Sequence, residues 1–172
     1  MRLEIGAGNS KMEGFIHTDL NAIEGNHLEA VCRGECLPFL DESFEYVLMQ
    51  GCFEHFTLKG ADRLVAECWR VLGLGGRIEL SSPDLMAVCA ILAMDKLPFD
   101  DPVHNRPVAE YVMACLYGGQ DRPGQLHKWG WTEGTLSVFL TDRGFTIESF
   151  DRSMYEPETH LHFIAQKREE IS

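Results

Sequence analysis

Short apolar runs alternate with longer amphipathic ones along this chain. Residues 2–6 (RLEIG) are a brief apolar run closed by glycine, and residues 14–20 (GFIHTDL) a second that stops at Asp19. Residues 29–33, 44–49 and 76–81 have the same character, so five short strands are expected in the first half. Between the fourth and fifth, Leu64, Val65, Cys68, Val71 and Leu72 recur at helical spacing, while Glu67 and Arg70 fall on the other side. That pattern predicts an amphipathic helix over 60–72, with Gly73, Gly75 and Gly76 as its stop and turn. A second helix runs from 84 to about 94, capped by Ser82 or Asp84 with Pro83 near its first turn. Pro107 opens a third over 108–117, ended by Gly118-Gly119. Thr132 caps a fourth over 133–143, ended by Gly144. Residues 145–151 and 161–166 alternate and close the chain as strands. Residues 96–106 and 120–130 read as loops.

Strands interleaved with helices indicate an α/β fold with a mainly parallel sheet. The first two connections hold only about eight residues each, too few for the usual helical crossover. One sheet face is therefore expected to lack its first two helices. If that face is apolar, something must cover it. Either residues 96–130 fold back over it or a second copy of the chain does, and a homodimer is the favoured expectation.

The size, 172 residues, suits one domain. A formal charge of -12, with no run of Lys or Arg, argues against nucleic acid as a partner and for a small molecule. The cysteines sit mostly in apolar stretches, as reduced and buried thiols do. Only Cys32 and Cys36 are close in sequence, and no second pair completes a zinc site, so no metal is expected. No apolar run reaches membrane-spanning length, and the opening residues lack the pattern of a secretory leader. No membrane association and a cytoplasmic location are the expectations.

Gly6-Ala7-Gly8 follows the first strand, where a ligand can lie against bare backbone. Asp19 ends the second strand, where its carboxylate can accept hydrogen bonds from a ribose. Ten residues separate Gly8 from Asp19, about half the spacing of a dinucleotide site, and Lys11 stands where G-x-G-x-x-G has its third glycine. Both features disfavour NAD or FAD. Residues 35–39 (ECLPF) and 50–56 (QGCFEHF) follow the third and fourth strands, which brings Glu54 and His55 to the pocket mouth.

In this order, LEIGAGN, HTDL, CLPFLDESFEYVLMQGCFEHF and ECWRVLGLGGRIELSSPD resemble the motifs of small class I S-adenosylmethionine-dependent methyltransferases. HKWGWTEGTLSVFLTDRGF (127–145), with Gln166 and its neighbours, resembles the family's late helix and final strands. The resemblance implies a Rossmann-like sheet, mostly parallel with an antiparallel last strand and shortened helices after strands 1 and 2. It implies one domain over 1–172, with 95–131 inserted as a substrate lid. It also implies that S-adenosylmethionine is the cofactor. Gly6, Ala7 and Gly8 would border its methionine and ribose, with Glu4 orienting that loop. Asp19 would take the ribose hydroxyls, Leu20 the adenine face, and Cys36 and Leu37 the flanks of the base. Gln50 and Gly51 would lie near the methionine. Arg33 stands where the family commonly has an acid for the adenine amino group, and Glu35 is the replacement.

In-line methyl transfer to a small molecule, on oxygen or nitrogen, would then rest on positioning, with a dedicated base optional. His55, oriented by Glu54, is the first candidate. His127, in a loop beside Trp129 and Trp131, is the second, and His104 a distant third. His17 is a candidate supporting residue, His160 and His162 are expected at the surface, and Cys52 is expected to be packing. A donor-binding module without turnover, or less favourably a nicotinamide-linked reductase, are the competing readings.

Overall fold

The structure, a computed structural model, describes residues 1–22, 25, 27–93, 108–120, 124–152 and 159–168. The apolar runs form strands β1 (Arg2–Ile5), β2 (Phe15–Asp19), β3 (Ala30–Val31), β4 (Phe44–Gln50), β5 (Leu72–Pro83), β6 (Phe145–Asp151) and β7 (His160–Lys167). They make one sheet in the order β3-β2-β1-β4-β5-β7-β6. The first five are parallel, and β7 runs antiparallel to both β5 and β6. The expected α/β architecture with an antiparallel last strand is what forms. No helix of the described residues is long and apolar enough to cross a membrane.

Helices α1 (Leu58–Val71) and α4 (Glu133–Thr141) pack on one face of the sheet. Leu3, Val47, Ile78 and Ala165 of the strands meet Leu64, Val65 and Cys68 of α1 and Leu136 and Leu140 of α4 there, all fully buried. α1 starts two residues earlier than its apolar spacing predicts. The Thr57 hydroxyl accepts the Gly60 N–H at 3.1 Å and fixes the start. Thr132 caps α4 as expected, reciprocally with Thr135. Helix α2 (Leu85–Ala93) is capped by Asp84, which accepts the Met86 N–H at 3.0 Å. Pro83 is the last residue of β5 rather than part of that helix. Helix α3 (Val108–Tyr117) packs on α2 through Tyr111, Val112 and Cys115, around Val88.

Two further expectations change. The third strand contracts to two residues, because only Thr18 and Asp19 of β2 offer it partners and its far side is an edge. The fifth extends back to Leu72, which pairs with Phe44; the register then jumps to Arg77 opposite Tyr46, so the glycines expected as a turn form an irregularity between the two pairs. Two of the cysteines expected to be buried, Cys36 and Cys89, are exposed.

The sheet face away from α1 and α4 also differs from expectation. No helix of the described residues joins β1 to β2 or β2 to β3, as the short connections required. Yet this face is not an apolar wall. In register across it stand Glu4 and His17, then Tyr46, Arg77 and Glu79, then His162. Glu4 Oε2 lies 2.7 Å from His17 Nδ1, His162 Nε2 lies 2.7 Å from Glu79, and the Tyr46 hydroxyl bonds Glu79. Arg2 lies over the rings of Phe15 and Tyr46. Phe15, Leu48 and Ile164 stand among these paired polar groups, so the face is mixed rather than wholly apolar. Of the segment expected to fold back, α3 reaches one end of this face, where the Tyr111 hydroxyl is 2.7 Å from Thr159. Residues 94–107, including His104, lie outside the described residues.

Candidate active site

The carboxyl ends of β1, β2 and β4 open into a cavity of about 500 Å3. Its floor is the turn after β1. Gly6 and Gly8 both have positive φ, 74° and 55°, which favours glycine. At Gly6 a Cβ would also stand 2.5 Å from the Cys52 Cβ. The Gly6 and Ala7 N–H groups both donate to the Thr18 carbonyl, at 2.9 and 3.0 Å. Asp19 completes the turn: its Oδ2 accepts the Gly8 N–H at 3.0 Å and its Oδ1 the Asn21 N–H at 2.9 Å. The carboxylate is thus held by backbone at the cavity wall, with further lone pairs left to accept a ligand.

Of the residues expected to hold a donor, Gly6, Gly8, Asp19, Leu20, Glu35 and Gly51 line this cavity, and so does His55. Five others lie elsewhere. Glu4 is buried further back along β1 and bonds His17, and neither of the two lines the cavity. Ala7 is buried beneath the turn. Cys36 is exposed, and Leu37 is in the core with its N–H donated to Glu67 at 2.8 Å. Gln50 ends β4 on the Glu4 face, exposed. Arg33 lines the cavity and lies 3.3 Å from Glu35. Cys52 is packing, as expected: it is buried, bonds the Ile5 carbonyl, and burial raises its thiol far above the ordinary range. Sequence reasoning missed Asn9, Thr57 and Lys128, which also line the cavity. Lys128 comes from the loop over 124–130, part of the segment expected as a substrate lid.

That loop is zipped onto the short 3-10 turn at Phe53–His55. The Lys128 N–H donates to the Glu54 carbonyl at 2.8 Å, and His55 Nδ1 donates to the Leu126 carbonyl at 3.2 Å. His127 Nδ1 donates to the Cys115 carbonyl at the end of α3, at 2.9 Å. A carbonyl only accepts, so the neutral His127 ring keeps its lone pair on Nε2, while His55 also meets the Gly51 backbone. Their centroids are 4.9 Å apart. Burial lowers the pKa of both, so both are neutral at pH 7. Glu54 does not orient His55 as expected; its Oε1 lies 3.7 Å from His127 Nε2 instead. Its other oxygen, Oε2, is buried with no hydrogen-bond partner, as are Ser82 Oγ and Trp131 Nε1. Burial pushes the Glu54 carboxyl up to about 7.

Glu54, Ser82 and His127 belong to a second cavity of about 240 Å3, walled by Leu85, Val88, Leu116, Tyr117 and Trp129. Lys128 lines both cavities. A wider depression, about 590 Å3, lies at the other end of the sheet around Met1, Phe44 and Gly76. It offers no glycine turn at strand carboxyl ends, where ligands of such sheets collect.

Residues 3–80 match the family model of the methyltransferase domain. No curated protein matches the sequence. Among solved structures, an S-adenosylmethionine-dependent methyltransferase from Methanosarcina mazei superposes with a TM-score of 0.62 at 21% identity, over 98% of this chain and 92% of that one. The 1,6-didemethyltoxoflavin-N1-methyltransferase of Burkholderia thailandensis, solved with 1,6-didemethyltoxoflavin and S-adenosylhomocysteine, gives 0.65 at 18% identity, over 98% and 71%. An S-adenosylmethionine-dependent methyltransferase from Aquifex aeolicus gives 0.59 at 12% identity, over 96% and 81%. The chain has the class I methyltransferase fold. Its first half carries the methyltransferase-domain pattern that its motifs resemble.

Proposed function

We propose that this chain transfers a methyl group from S-adenosylmethionine, bound in the larger cavity, to a small molecule bound in the smaller one. The observation that carries the reading is the clasp between Gly8 and Asp19 inside the larger cavity. A backbone-held carboxylate beside bare glycine backbone fits a nucleoside: the backbone gives it room and the carboxylate accepts its ribose hydroxyls. Among the described residues no helix follows this turn to receive a pyrophosphate, which favours a nucleoside over a dinucleotide.

When bound, the donor supplies a methyl group made electrophilic by a positively charged sulfur. Gly6 and Gly8 border its methionine and ribose. Asp19 takes the ribose hydroxyls through the lone pairs that Gly8 and Asn21 leave, with Leu20 and Glu35 around the base. Residues 115–117 and 127–130 supply much of the acceptor wall. Leu116, Tyr117 and Trp129 suit a ring-bearing molecule, and Glu54 and His127 suit a hydroxyl or amine on it. Neutral His55 and His127 can take the proton that such an acceptor gives up. Alignment of two bound reactants is worth roughly 7–11 kcal/mol, so the two adjoining cavities supply most of the effect.

Calorimetric titration of the full chain with S-adenosylmethionine and S-adenosylhomocysteine tests this. Micromolar binding of both, with methyl transfer to a member of a phenol and amine panel, is expected. Binding of a nicotinamide dinucleotide but of neither sulfur compound overturns it.

A further inference from the structure

The wall between the two cavities holds three side chains whose donor atoms converge. One ligand atom each from Glu54, His55 and His127 lie within 4.8 Å of one another, and Glu54 is buried. We propose that these residues bind a divalent transition-metal ion of the zinc or cobalt kind, with an open position facing the smaller cavity.

Four features support the site. First, His127 Nδ1 is anchored on the Cys115 carbonyl and His55 Nδ1 on the Leu126 carbonyl. Such outer hydrogen bonds fix the tautomer and aim of metal-binding histidines. Second, Glu54 Oε2 is buried and makes no well-formed hydrogen bond, although the Ser82 hydroxyl lies close to Glu54. A buried carboxylate lacking a cation is costly, and among the described residues no Lys or Arg side chain pairs with it. Lys128 reaches Glu54 through its backbone N–H. Third, two imidazoles and one carboxylate suit zinc, cobalt or iron rather than magnesium or calcium. With metal–ligand bonds of about 2.0–2.2 Å, the three groups need to close by roughly 1 Å. Fourth, Glu54 and His127 line the smaller cavity while His55 lines the larger, so the ion would stand at their junction.

Three protein ligands leave room for a fourth, supplied by water or by an acceptor. The class of acceptor this favours is one with an ionisable oxygen, such as a phenol. On coordination its hydroxyl gives its proton to solvent. The oxygen lone pair then forms the bond to the methyl carbon while the carbon–sulfur bond breaks, its electron pair leaving with sulfur. In that case the two imidazoles are ligands, and the ion rather than either ring acidifies the acceptor. This acceptor assignment rests on the methyl-transfer reading; the ion site does not.

The test is titration of the chelator-stripped full chain with Zn2+ by calorimetry and with Co2+ by absorption spectroscopy. One ion per chain is expected at micromolar affinity, with visible Co2+ bands and no thiolate charge-transfer band. Glu54→Gln and His127→Asn should each weaken binding by about 10- to 100-fold. His127→Asn removes a less buried ring and serves if Glu54→Gln does not fold. Three results overturn the site: no binding at 1 mM (about the weakest useful affinity), equal affinity in folded variants, or a thiolate band showing that cysteines hold the ion. Titration of the same samples with S-adenosylhomocysteine separates the two readings. Unchanged donor binding without ion binding removes the metal site alone; ion binding without donor binding removes only the methyl-transfer reading.

Discussion

Gly8 gives its backbone N–H to Asp19 Oδ2 at 3.0 Å, across the ends of two adjacent parallel strands. This bond explains the short spacing between them: a turn needs no helix when the acid it must meet stands on the next strand. The carboxylate is oriented before any ligand arrives. Asp19→Ala removes both that orientation and the acceptor, and Asp19→Asn keeps the shape without the charge. With about 1.5–3 kcal/mol per hydrogen bond to a charged group, donor affinity should fall roughly 100-fold in the alanine variant and about tenfold in the asparagine variant. Calorimetry with S-adenosylhomocysteine checks the ranking, and equal affinity of Asp19→Ala and the parent chain refutes it.

The two glycines of the turn should respond differently to alanine. At Gly6 a Cβ would meet the Cys52 Cβ at 2.5 Å, in a strained conformation as well. Cys52 is pinned to the Ile5 carbonyl and has little room to move. At Gly8 nothing lies within 4 Å, so only the backbone conformation resists. Gly8→Ala should cost about 1 kcal/mol and Gly6→Ala roughly 3 kcal/mol or more. Thermal unfolding of the two variants measures the difference.

These turns were the legible part of the site because they are local. Gly6, Gly8 and Asp19 announce themselves within fourteen residues, and the pairing of β1 with β2 places them together. Glu54 and His127 meet only because the loop after α3 is tied to the 3-10 turn by main-chain bonds, which leave no pattern in side-chain identity. The tryptophan neighbours of His127 mark it as a candidate, but nothing in the sequence ties Glu54 to it rather than to the adjacent His55. The bare sheet face shows a different failure. Short connections revealed that it lacks helices. Its polarity was written at alternate positions, Glu4, Tyr46, Glu79 and His162, on four strands. It becomes visible only once the register sets them on one side.

Arg70 on α1 holds the chain that follows β3. Its guanidinium donates to the Leu37 and Phe39 carbonyls, to Asp41, and to Glu67, which in turn accepts the Leu37 N–H. Since Cys32 to Glu35 of that segment line the larger cavity, the latch positions the base-binding wall. The Arg70 guanidinium, helped by the Leu37 N–H, holds the Glu67 carboxyl below the usual carboxylate range. A depressed folded pKa contributes stability above the unfolded value, about 4.5, and that stability is lost as pH falls through the folded one. Glu67→Gln should therefore cost about 1 kcal/mol at pH 7 and match the parent chain well below pH 4. Urea unfolding across that range tests it; a cost that persists unchanged in acid is the contrary result.

Lys167 is a buried lysine serving a helix end. α1 stops at Val71, leaving its last carbonyls without partners inside the helix. β7 brings Lys167 beneath them, where Nζ donates to the Leu72 carbonyl at 2.6 Å and to the Trp69 carbonyl at 2.9 Å. The ammonium also lies 5.0 Å from the centre of the Trp69 ring. A cation is favoured at this end of a helix, and the aromatic face adds to the attraction. Lys167→Met keeps much of the volume but leaves two buried carbonyls unpaired. At about 1–3 kcal/mol for each unsatisfied group, the variant should lose roughly 2–4 kcal/mol. A chain of this size shifts its Tm by about 2–4 °C per kcal/mol, so a fall of about 5–15 °C is expected. Lys167 lines neither cavity, and donor affinity at 20 °C should not change. A variant that melts with the parent chain would mean that the carbonyls find water instead. One that loses donor binding while folded would mean that the end of α1 is coupled to the site.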